Sequence, residues 1–398
     1  MSSTKGEDHP LRIAIDYTTG AWPGAGVARY TRSLVTALAN IDQYNHYTLF
    51  YGGRDLPRDT PEYAHLQDLL ERRPNLTVRE LPLSARALGI LWQRLRAPLP
   101  ANWLIGGADV VHAPDFLGPP VVGARQVVTI HDLSFLALPE VVDPGNRDYL
   151  ARRVPRAARR AHRVIAVSEA TRQDVIRYLR VPPERVVTVP NGVDQRFRSF
   201  DYDRLAAEAP ARRAQLGVPE RYILHVGTIE PRKTLVRLIG AYMGLVARGQ
   251  DDGHDLVLAG RRGWMYDLVF DAAAASGLQQ RIHFLDYVPE ADLPWLYNLA
   301  TVFVYPSLYE GFGLPVLEAM ACGTPVVTSR TPALVELVGD ATKLVDPIDE
   351  MSITLALELL VNNPTLRRAL HEAGLLRAAA YPWSVSAHLM LGVYTGMR

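Results

Sequence analysis

Short apolar runs alternate with amphipathic helical patterns along most of the chain, and this alternation restricts the fold more than any other feature of the sequence. In residues 27–41, for example, Val27, Tyr30, Leu34 and Leu38 recur at helical spacing. Strands separated by helices are typical of parallel sheets with helices on both faces. The predicted strands of the first half lie at residues 11–17, 46–51, 76–81, 109–114, 126–133, 163–168 and 185–194.

The pattern then begins again, after a segment at about residues 191–220 that we expect to be poorly ordered. Further strands are predicted at residues 222–229, 255–260, 281–288, 301–307, 324–329 and 341–347, with helices near 233–248, 264–276 and 290–299. A chain of 398 residues exceeds what one hydrophobic core usually organises. We therefore predict an α/β protein of two Rossmann-like domains that face a cleft, whereas one large domain would need an unusually wide sheet.

The predicted domains are residues 1–192 and 193–382. The remaining helical tail, residues 383–398, follows a Pro-Trp break and could return to the N-terminal domain.

Composition excludes several classes of protein. Lys and Arg number 43 against 42 Asp and Glu, so the net charge of +1 argues against a nucleic-acid-coating protein. The single cysteine, Cys322, excludes an internal disulfide and a cysteine-based zinc site. The polar N-terminus lacks a signal-peptide core, and no apolar run approaches the roughly 20 residues that span a bilayer. We expect a cytosolic protein and leave peripheral contact with the inner face of a membrane open.

The stretch from Glu310 to Gly323 places two carboxylates in an otherwise apolar, glycine-rich segment. Pro315 suits a first helical turn and Gly323 a helix end, which predicts a helix from about Leu314 to Cys322. A glycine-rich turn before a helix N-terminus lets an anion such as a phosphate approach the backbone. Glu310 in that turn and Glu318 in the helix could accept hydrogen bonds from the vicinal hydroxyls of a sugar.

This stretch, EGFGLPVLEAMACGTPVVTS, closely resembles the signature of the retaining glycosyltransferases of family 4, which have the GT-B fold. Residues 131–140, 163–176, 189–194, 225–239 and 256–264 resemble the same family, so the likeness covers nearly the whole chain after residue 10. It implies an acceptor-side N-terminal domain and a nucleotide-sugar-binding C-terminal domain. The segments GTIEPRK and HDLSFL look most like bacterial mannosyltransferases of polysaccharide assembly.

The resemblance assigns roles in donor binding. It implies that Glu310 contacts the donor sugar and Glu318 the nucleotide ribose. The backbone of the segment from Gly311 through Phe312 and Gly313 to Leu314 would lie against the sugar and phosphates. Arg232 and Lys233, just after a strand, are well placed to hold the diphosphate, Arg by its planar fork and Lys as a point charge.

Other candidate site residues lie in the first half. Gly24 and Gly26 form a loop that enters a helix, and the resemblance implies that it approaches the donor diphosphate or the acceptor. His131 ends a predicted strand and by resemblance contacts donor-sugar hydroxyls near the transfer centre, and Asp132 could orient the site. Arg29 could face a phosphate or an acidic acceptor.

Two basic segments are candidates for contact with an acidic membrane or an acceptor. Residues 151–163 carry a run of arginines that is interrupted by Pro155, and a solvated helix face is the simpler interpretation. In residues 90–99, Trp92 is flanked by Arg94 and Arg96.

The expected function is transfer of a hexose from a nucleoside-diphosphate sugar to a hydroxyl of a glycan or lipid-linked acceptor, with retention at the anomeric carbon. GDP-mannose is the first expected donor and UDP-glucose the second. No Asp-x-Asp pair stands at a strand end, so we expect the basic pair to stabilise the leaving diphosphate without a metal ion and without a further cofactor. A nucleotide-sugar epimerase and a non-catalytic sugar-nucleotide-binding protein remain as alternatives, and the oligomeric state is undetermined.

Overall fold

A computed structural model describes residues 9–24, 26–95 and 99–397 of the chain. The polar N-terminus at residues 1–8, the candidate Arg96 and the last tail residue Arg398 lie outside this part. The chain forms two compact units. Unit 1 consists of Met1–Leu133, Tyr149–Gly192 and Trp383–Arg398, and unit 2 of Ser134–Asp148 and Val193–Pro382.

Unit 1 contains a parallel sheet with the strand order β3-β2-β1-β4-β5-β6-β7. The central strands are buried along most of their length, as expected when helices cover both faces of a sheet. The strands are β1 Arg12–Asp16, β2 His46–Gly52, β3 Leu76–Leu81, β4 Val110–Ala113, β5 Arg125–Ile130, β6 Arg163–Ala166 and β7 Val186–Thr188.

Unit 2 repeats this architecture with the strand order β10-β9-β8-β11-β12-β13, again parallel. Its strands are β8 Tyr222–Val226, β9 Asp255–Ala259, β10 Ile282–Phe284, β11 Val302–Tyr305, β12 Val326–Ser329 and β13 Lys343–Val345. In each unit the chain starts in the middle of the sheet and builds outward in both directions. The strand order therefore reverses between β1 and β4 in unit 1 and between β8 and β11 in unit 2, and such switch points are where α/β sheets bind ligands. The two-domain α/β prediction is confirmed.

Most of the helices connect successive strands, and the last three follow β13. The helices are α1 Thr18–Ala21, α2 Val27–Ile41, α3 Pro61–Arg72, α4 Ala85–Gly89, α5 Ala101–Leu104, α6 Ser134–Ala137, α7 Pro144–Arg160, α8 Glu169–Asp174, α9 Tyr202–Leu216, α10 Leu235–Ala247, α11 Asp267–Ala275, α12 Leu293–Leu299, α13 Leu314–Ala321, α14 Pro332–Val338, α15 Glu350–Val361, α16 Pro364–Ala378 and α17 Trp383–Thr395. Of the helices in the described ranges, none has the length and apolarity that crossing a bilayer requires.

Two local expectations were wrong. The segment expected to be poorly ordered contains α9, which is capped by the Asp201 side chain and ends at Gly217 in the left-handed conformation. Its only buried residue is Ala209, so it lacks the apolar stripe by which a helix is recognised in a sequence. Pro155 does not interrupt the basic helix either, because α7 continues through it to Arg160.

Candidate active site

Two loops meet at the switch point of unit 2, where each follows one of the neighbouring strands β8 and β11. One loop follows β8 and carries Arg232 and Lys233 on the short turn Pro231–Lys233; the other follows β11 and leads to Glu310. Thr234 adopts φ +50° after the basic pair, and its hydroxyl donates to the carbonyl of Pro306. The amide of Leu308 donates to the carbonyl of Arg232 at 2.9 Å. These bonds hold the two loops together.

Arg232, Lys233 and Glu310 form one ion cluster at this place. Oε1 of Glu310 lies 3.0 Å from Nη1 of Arg232 and also accepts from Nζ of Lys233. Arg232 pairs in addition with Glu230, whose Oε1 lies 2.7 Å from Nη2, and donates to the carbonyl of Tyr309 at 2.7 Å. The Glu310 side chain is 9% exposed, that of Lys233 5% and that of Arg232 16%, so Arg232 is the most accessible cation of the cluster.

The electrostatics of the cluster keep Glu310 ionised. Burial by itself would raise the pKa of Glu310, but the charges of Arg232 and Lys233 outweigh burial and lower the pKa to about 2. Burial and the neighbouring charge of Arg232 lower the pKa of Lys233, while Glu310 and Glu230 act in the opposite direction. The cluster contains two carboxylates, Glu230 and Glu310, and two cations, Arg232 and Lys233, so its charges cancel. An anion that bound to Arg232 would therefore share this side chain with Glu230.

Sequence reasoning missed the side chains that support this cluster. The hydroxyl of Tyr305, at the end of β11, accepts from Nζ of Lys233 at 2.5 Å, and the lysine lies over the tyrosine ring. Ser307 donates to Oε1 of Glu310 at 2.5 Å. His225, near the end of β8, stacks on Tyr305 with ring centroids 5.4 Å apart, and burial lowers its pKa to about 3. The strand order places these residues together, and that order cannot be read from one segment alone.

The helix predicted after the glycine-rich turn is confirmed as α13. Gly313, the residue before it, has φ +108°, and a Cβ atom there would lie 2.5 Å from the Leu334 side chain, so this position requires glycine. Phe312 is buried, and its ring makes an edge contact with Tyr381. Its side chain therefore belongs to the core of unit 2.

Glu318 occupies a separate position on α13. It is 3% exposed, and its Oε2 accepts a hydrogen bond of 3.0 Å from the hydroxyl of Tyr297 on α12. The structure thus brings Arg232, Lys233 and Glu310 into one cluster and gives Glu318 a different partner.

The predicted glycine loop lies in unit 1, between β1 and α2. Gly26 precedes α2 with φ +58°, and no atom of the described residues lies within 4 Å of the point that a Cβ atom would occupy there. Arg32 on α2 donates to the carbonyls of Gly24 at 3.1 Å and Trp22 at 3.3 Å. This buried arginine, which the sequence did not indicate, fixes the loop from behind. Arg29 lies on the same helix.

His131 follows β5 at the carboxyl edge of the unit 1 sheet. Its Nε2 donates to the carbonyl of Pro114 at 2.6 Å, and its ring contacts the edge of Tyr30 on α2. Burial lowers the pKa of His131, which favours the neutral ring. With the proton on Nε2, Nδ1 is the nitrogen that can accept a hydrogen bond.

Two carboxylates lie near the switch point of unit 1, between β1 and β4, and the sequence analysis identified neither of them. Asp16 ends β1 and Asp115 follows β4, and burial raises the pKa of both. The neighbouring Asp16 adds to the effect at Asp115, whose pKa is raised to about 6.

The second basic candidate is largely internal. Trp92 is 8% exposed, belongs to the core of unit 1 and donates to the carbonyl of Leu99 at 3.0 Å. Its indole is therefore not a surface contact, and its predicted neighbour Arg96 lies outside the described residues. Within the described ranges, no group of three or more His, Cys, Asp or Glu side chains is arranged to hold a metal ion.

Comparisons with known proteins agree with this architecture. The family model for Glycosyltransferase Family 4 matches residues 24–197, and the model for glycosyl transferases group 1 matches residues 209–377. The O-antigen chain mannosyltransferase B of Escherichia coli is 32% identical over 369 residues, which cover 91% of this chain and 93% of that protein. The chain belongs to glycosyltransferase family 4. It is a glycosyltransferase, and the resemblance seen in the sequence is confirmed.

Further relatives share parts of the chain. The serotype-specific mannosyltransferase WbdA of Escherichia coli is 31% identical over 275 residues, 68% of this chain and 33% of that longer protein. Among solved structures, a sucrose-phosphate synthase from Thermosynechococcus elongatus has a TM-score of 0.75 at 22% identity, covering 97% of this chain and 99% of that chain. WaaG, a glycosyltransferase involved in lipopolysaccharide biosynthesis, has a TM-score of 0.70 at 18% identity, with 97% and 100% covered. These two structures show the shared GT-B fold. The family matches favour the transferase over the epimerase and the binding protein that the sequence left open.

Proposed function

We propose that the protein transfers mannose from GDP-mannose to a hydroxyl of a glycan or lipid-linked acceptor, with retention at the anomeric carbon. The observation that carries the proposal is the ion cluster at the switch point of unit 2. The family supplies the reaction class, and the relative with 32% identity over most of both chains is a mannosyltransferase. The residues of the cluster have the chemistry that a nucleoside-diphosphate sugar requires.

The donor diphosphate would lie beside Arg232, the most exposed cation of the cluster. As the bond between the sugar and the diphosphate breaks, negative charge grows on the departing oxygen. Arg232 and Lys233 are held in place before reaction by Glu230, Glu310 and Tyr305, so little reorganisation is needed to stabilise that charge. The three bonds described above occupy Oε1 of Glu310, and its second oxygen can accept from a sugar hydroxyl. In this proposal Glu318, on α13, accepts from the ribose.

The acceptor hydroxyl would attack the anomeric carbon from the same face of the sugar ring from which the phosphate departs. Retention without a carboxylate nucleophile requires this same-face attack. The departing phosphate oxygen would take up the proton of that hydroxyl. In this proposal His131, with Nδ1 as an acceptor, would bind a hydroxyl of the donor sugar.

The deciding experiment is a thermal-shift comparison of GDP, UDP and ADP, followed by product analysis. Ligand at a hundred times its Kd stabilises the native state by about 2.7 kcal/mol, which is a measurable shift. GDP should raise the melting temperature most, and GDP-mannose should release GDP in the presence of an acceptor preparation, in EDTA as well as in buffer. A larger shift with UDP would replace the donor by UDP-glucose. Loss of turnover in EDTA that Mg²⁺ or Mn²⁺ restores would contradict the role of the basic pair.

A further inference from the structure

A large cavity in unit 1 lies at the opposite sheet edge from the candidate active-site residues of the same unit. It has a volume of about 910 Å³ and is bounded by the first residues of two neighbouring strands, Val110 of β4 and Arg125 of β5. His131 follows the other end of β5, and at about 3.3 Å per residue the six residues of this strand span about 20 Å. The cavity is therefore remote from His131, the residue of unit 1 that the proposed function places at the donor sugar.

The wall of the cavity is strongly basic. Arg125 and, on α7, Arg153, Arg156 and Arg160 line it, and we call this site the arginine cavity. Of its described lining residues, Asp109 is the one carboxylate, and it is already paired with Arg12 at 2.9 Å. Among the residues that the structure describes, Arg125, Arg153 and Arg160 have no acidic partner. Like charges assembled without counter-charges are unfavourable unless an anion binds.

Hydrogen bonds fix other residues that line the arginine cavity. Gln126 donates to the carbonyl of Pro119 at 2.6 Å, and Gln93 donates to the carbonyl of Gly118 at 3.1 Å. Nδ1 of His162 accepts from the amide of Gln126 at 3.0 Å.

Exposed apolar side chains lie beside the basic wall. Val122 lines the arginine cavity and is 54% exposed. Its backbone exchanges two hydrogen bonds with the side chain of Asn102 on α5, the helix that also carries Trp103, 64% exposed, and Leu104, 38% exposed. A free phosphate in water would need the arginines but would gain nothing from these apolar groups. A lipid offers an anionic headgroup and an apolar boundary together.

We propose that the arginine cavity binds the phosphate headgroup of an anionic membrane lipid and holds unit 1 at a membrane surface. Arg153 and Arg160 contact the phosphate, and Trp103, Leu104 and Val122 enter the boundary between headgroups and acyl chains. The site is independent of the proposed donor and acceptor, because it lies at the other edge of the sheet.

The test is sedimentation of the full chain with vesicles of phosphatidylcholine, alone or with phosphatidylglycerol. The wild type should bind the anionic vesicles, and rising salt should weaken the binding. The double variant Arg153→Gln/Arg160→Gln should bind about 10- to 30-fold more weakly, since each basic residue near an anionic surface contributes about 1 kcal/mol. The matched control is Arg54→Gln/Arg79→Gln, which removes two exposed arginines of unit 1 outside the cavity and lowers the net charge equally.

Three outcomes would overturn the proposal. The wild type could fail to bind anionic vesicles, or both double variants could lose binding equally, in which case net charge alone is responsible. Vesicle binding could also be the same in the wild type and in Arg153→Gln/Arg160→Gln, which would place the lipid contact outside the arginine cavity; if inorganic phosphate then raises the melting temperature of the wild type but not of this variant, a free anion is the ligand. In support, Trp103→Ser should weaken vesicle binding, while Tyr202→Ser, an exposed aromatic of unit 2, should not. Thermal unfolding of each variant confirms that it is folded.

Discussion

At the residue scale, the site depends on one carboxylate that is surrounded by positive charge. Glu310 is nearly buried, yet two cations and the Ser307 hydroxyl keep it ionised. A buried carboxylate is stable only when its partners replace the water that it loses. The same contacts orient Lys233 and Arg232, so Glu310 positions the cations as well as offering an oxygen to a sugar.

The lowered pKa of Glu310 predicts a pH dependence of stability. The folded-state pKa of about 2 lies below the ordinary value of 4.5. The contribution of ionised Glu310 to the free energy of unfolding is therefore complete above about pH 4.5 and is lost as the pH falls through 2. The full difference corresponds to roughly 3 kcal/mol of unfolding free energy. In urea titrations, the stability difference between wild type and Glu310→Gln should shrink as the pH falls from 6 to 3. A difference that does not change with pH would contradict this assignment.

The different partners of Glu310 and Glu318 predict different consequences of their removal. Glu310→Ala should reduce sugar transfer by a larger factor than it changes the affinity for the free nucleotide, because this carboxylate addresses the sugar directly and the diphosphate only through Arg232 and Lys233. Glu318→Ala should weaken nucleotide binding by about 1–3 kcal/mol, the loss expected for a charged hydrogen bond. Calorimetric titration of GDP and initial rates separate the two effects. The variant Tyr297→Phe is the control, since it removes the hydrogen bond between Tyr297 and Glu318 and keeps the carboxylate. Equal loss of nucleotide affinity in both glutamate variants would contradict the separate roles of Glu310 and Glu318.

At the element scale, hydrophobic periodicity predicted most helices and strands. Features that depend on contacts between distant segments could not be predicted in this way. The helix at residues 27–41 was predicted with its observed bounds, since its apolar face is continuous. Helix α9 was missed because it buries a single residue, and β10 ends at Phe284, four residues before the predicted strand end. The ion pair of Glu310 with Arg232 joins residues 78 positions apart, so neither local segment could predict it.

The loop before α2 depends on Arg32, and this predicts a local effect of its substitution. Arg32 donates from both terminal nitrogens to the carbonyls of Trp22 and Gly24, a geometry that the single ammonium of lysine cannot reproduce. Arg32→Lys should therefore increase amide hydrogen exchange in residues 20–24 by about tenfold or more, if roughly 1.5 kcal/mol of charged hydrogen bonding is lost. Arg73→Lys is the control, since its bond to Asn40 lies elsewhere in unit 1. Equal exchange in wild type and Arg32→Lys would show that the loop is held by other contacts.

At the scale of the whole molecule, unit 1 is completed by the end of the chain. Helix α17 packs against α2, and the hydroxyl of Tyr394 lies 2.6 Å from Nδ1 of His112 on β4. Burial lowers the pKa of His112 to about 3, so it stays neutral, and its other nitrogen bonds Thr129 at 2.8 Å. Ser386 also donates to the carbonyl of Pro190 at 2.6 Å. The sheet of unit 2, by contrast, is formed entirely by residues within Val193–Pro382.

This asymmetry predicts that the two units differ when the chain is cut. A fragment of residues 193–382 lacks Ser134–Asp148 of unit 2 but should fold by itself and bind nucleotide, because it contains all six strands and the hydrophobic core cluster of that unit. A fragment of residues 1–192 should be destabilised, because without α17 the buried Nδ1 of His112 loses its partner, which costs about 1–3 kcal/mol before any lost packing is counted. Joining residues 383–397 to it through a flexible linker should restore a cooperative urea transition, measured by circular dichroism, and Tyr394→Phe should weaken that rescue. Equal midpoints with and without the helix would show that unit 1 does not depend on it.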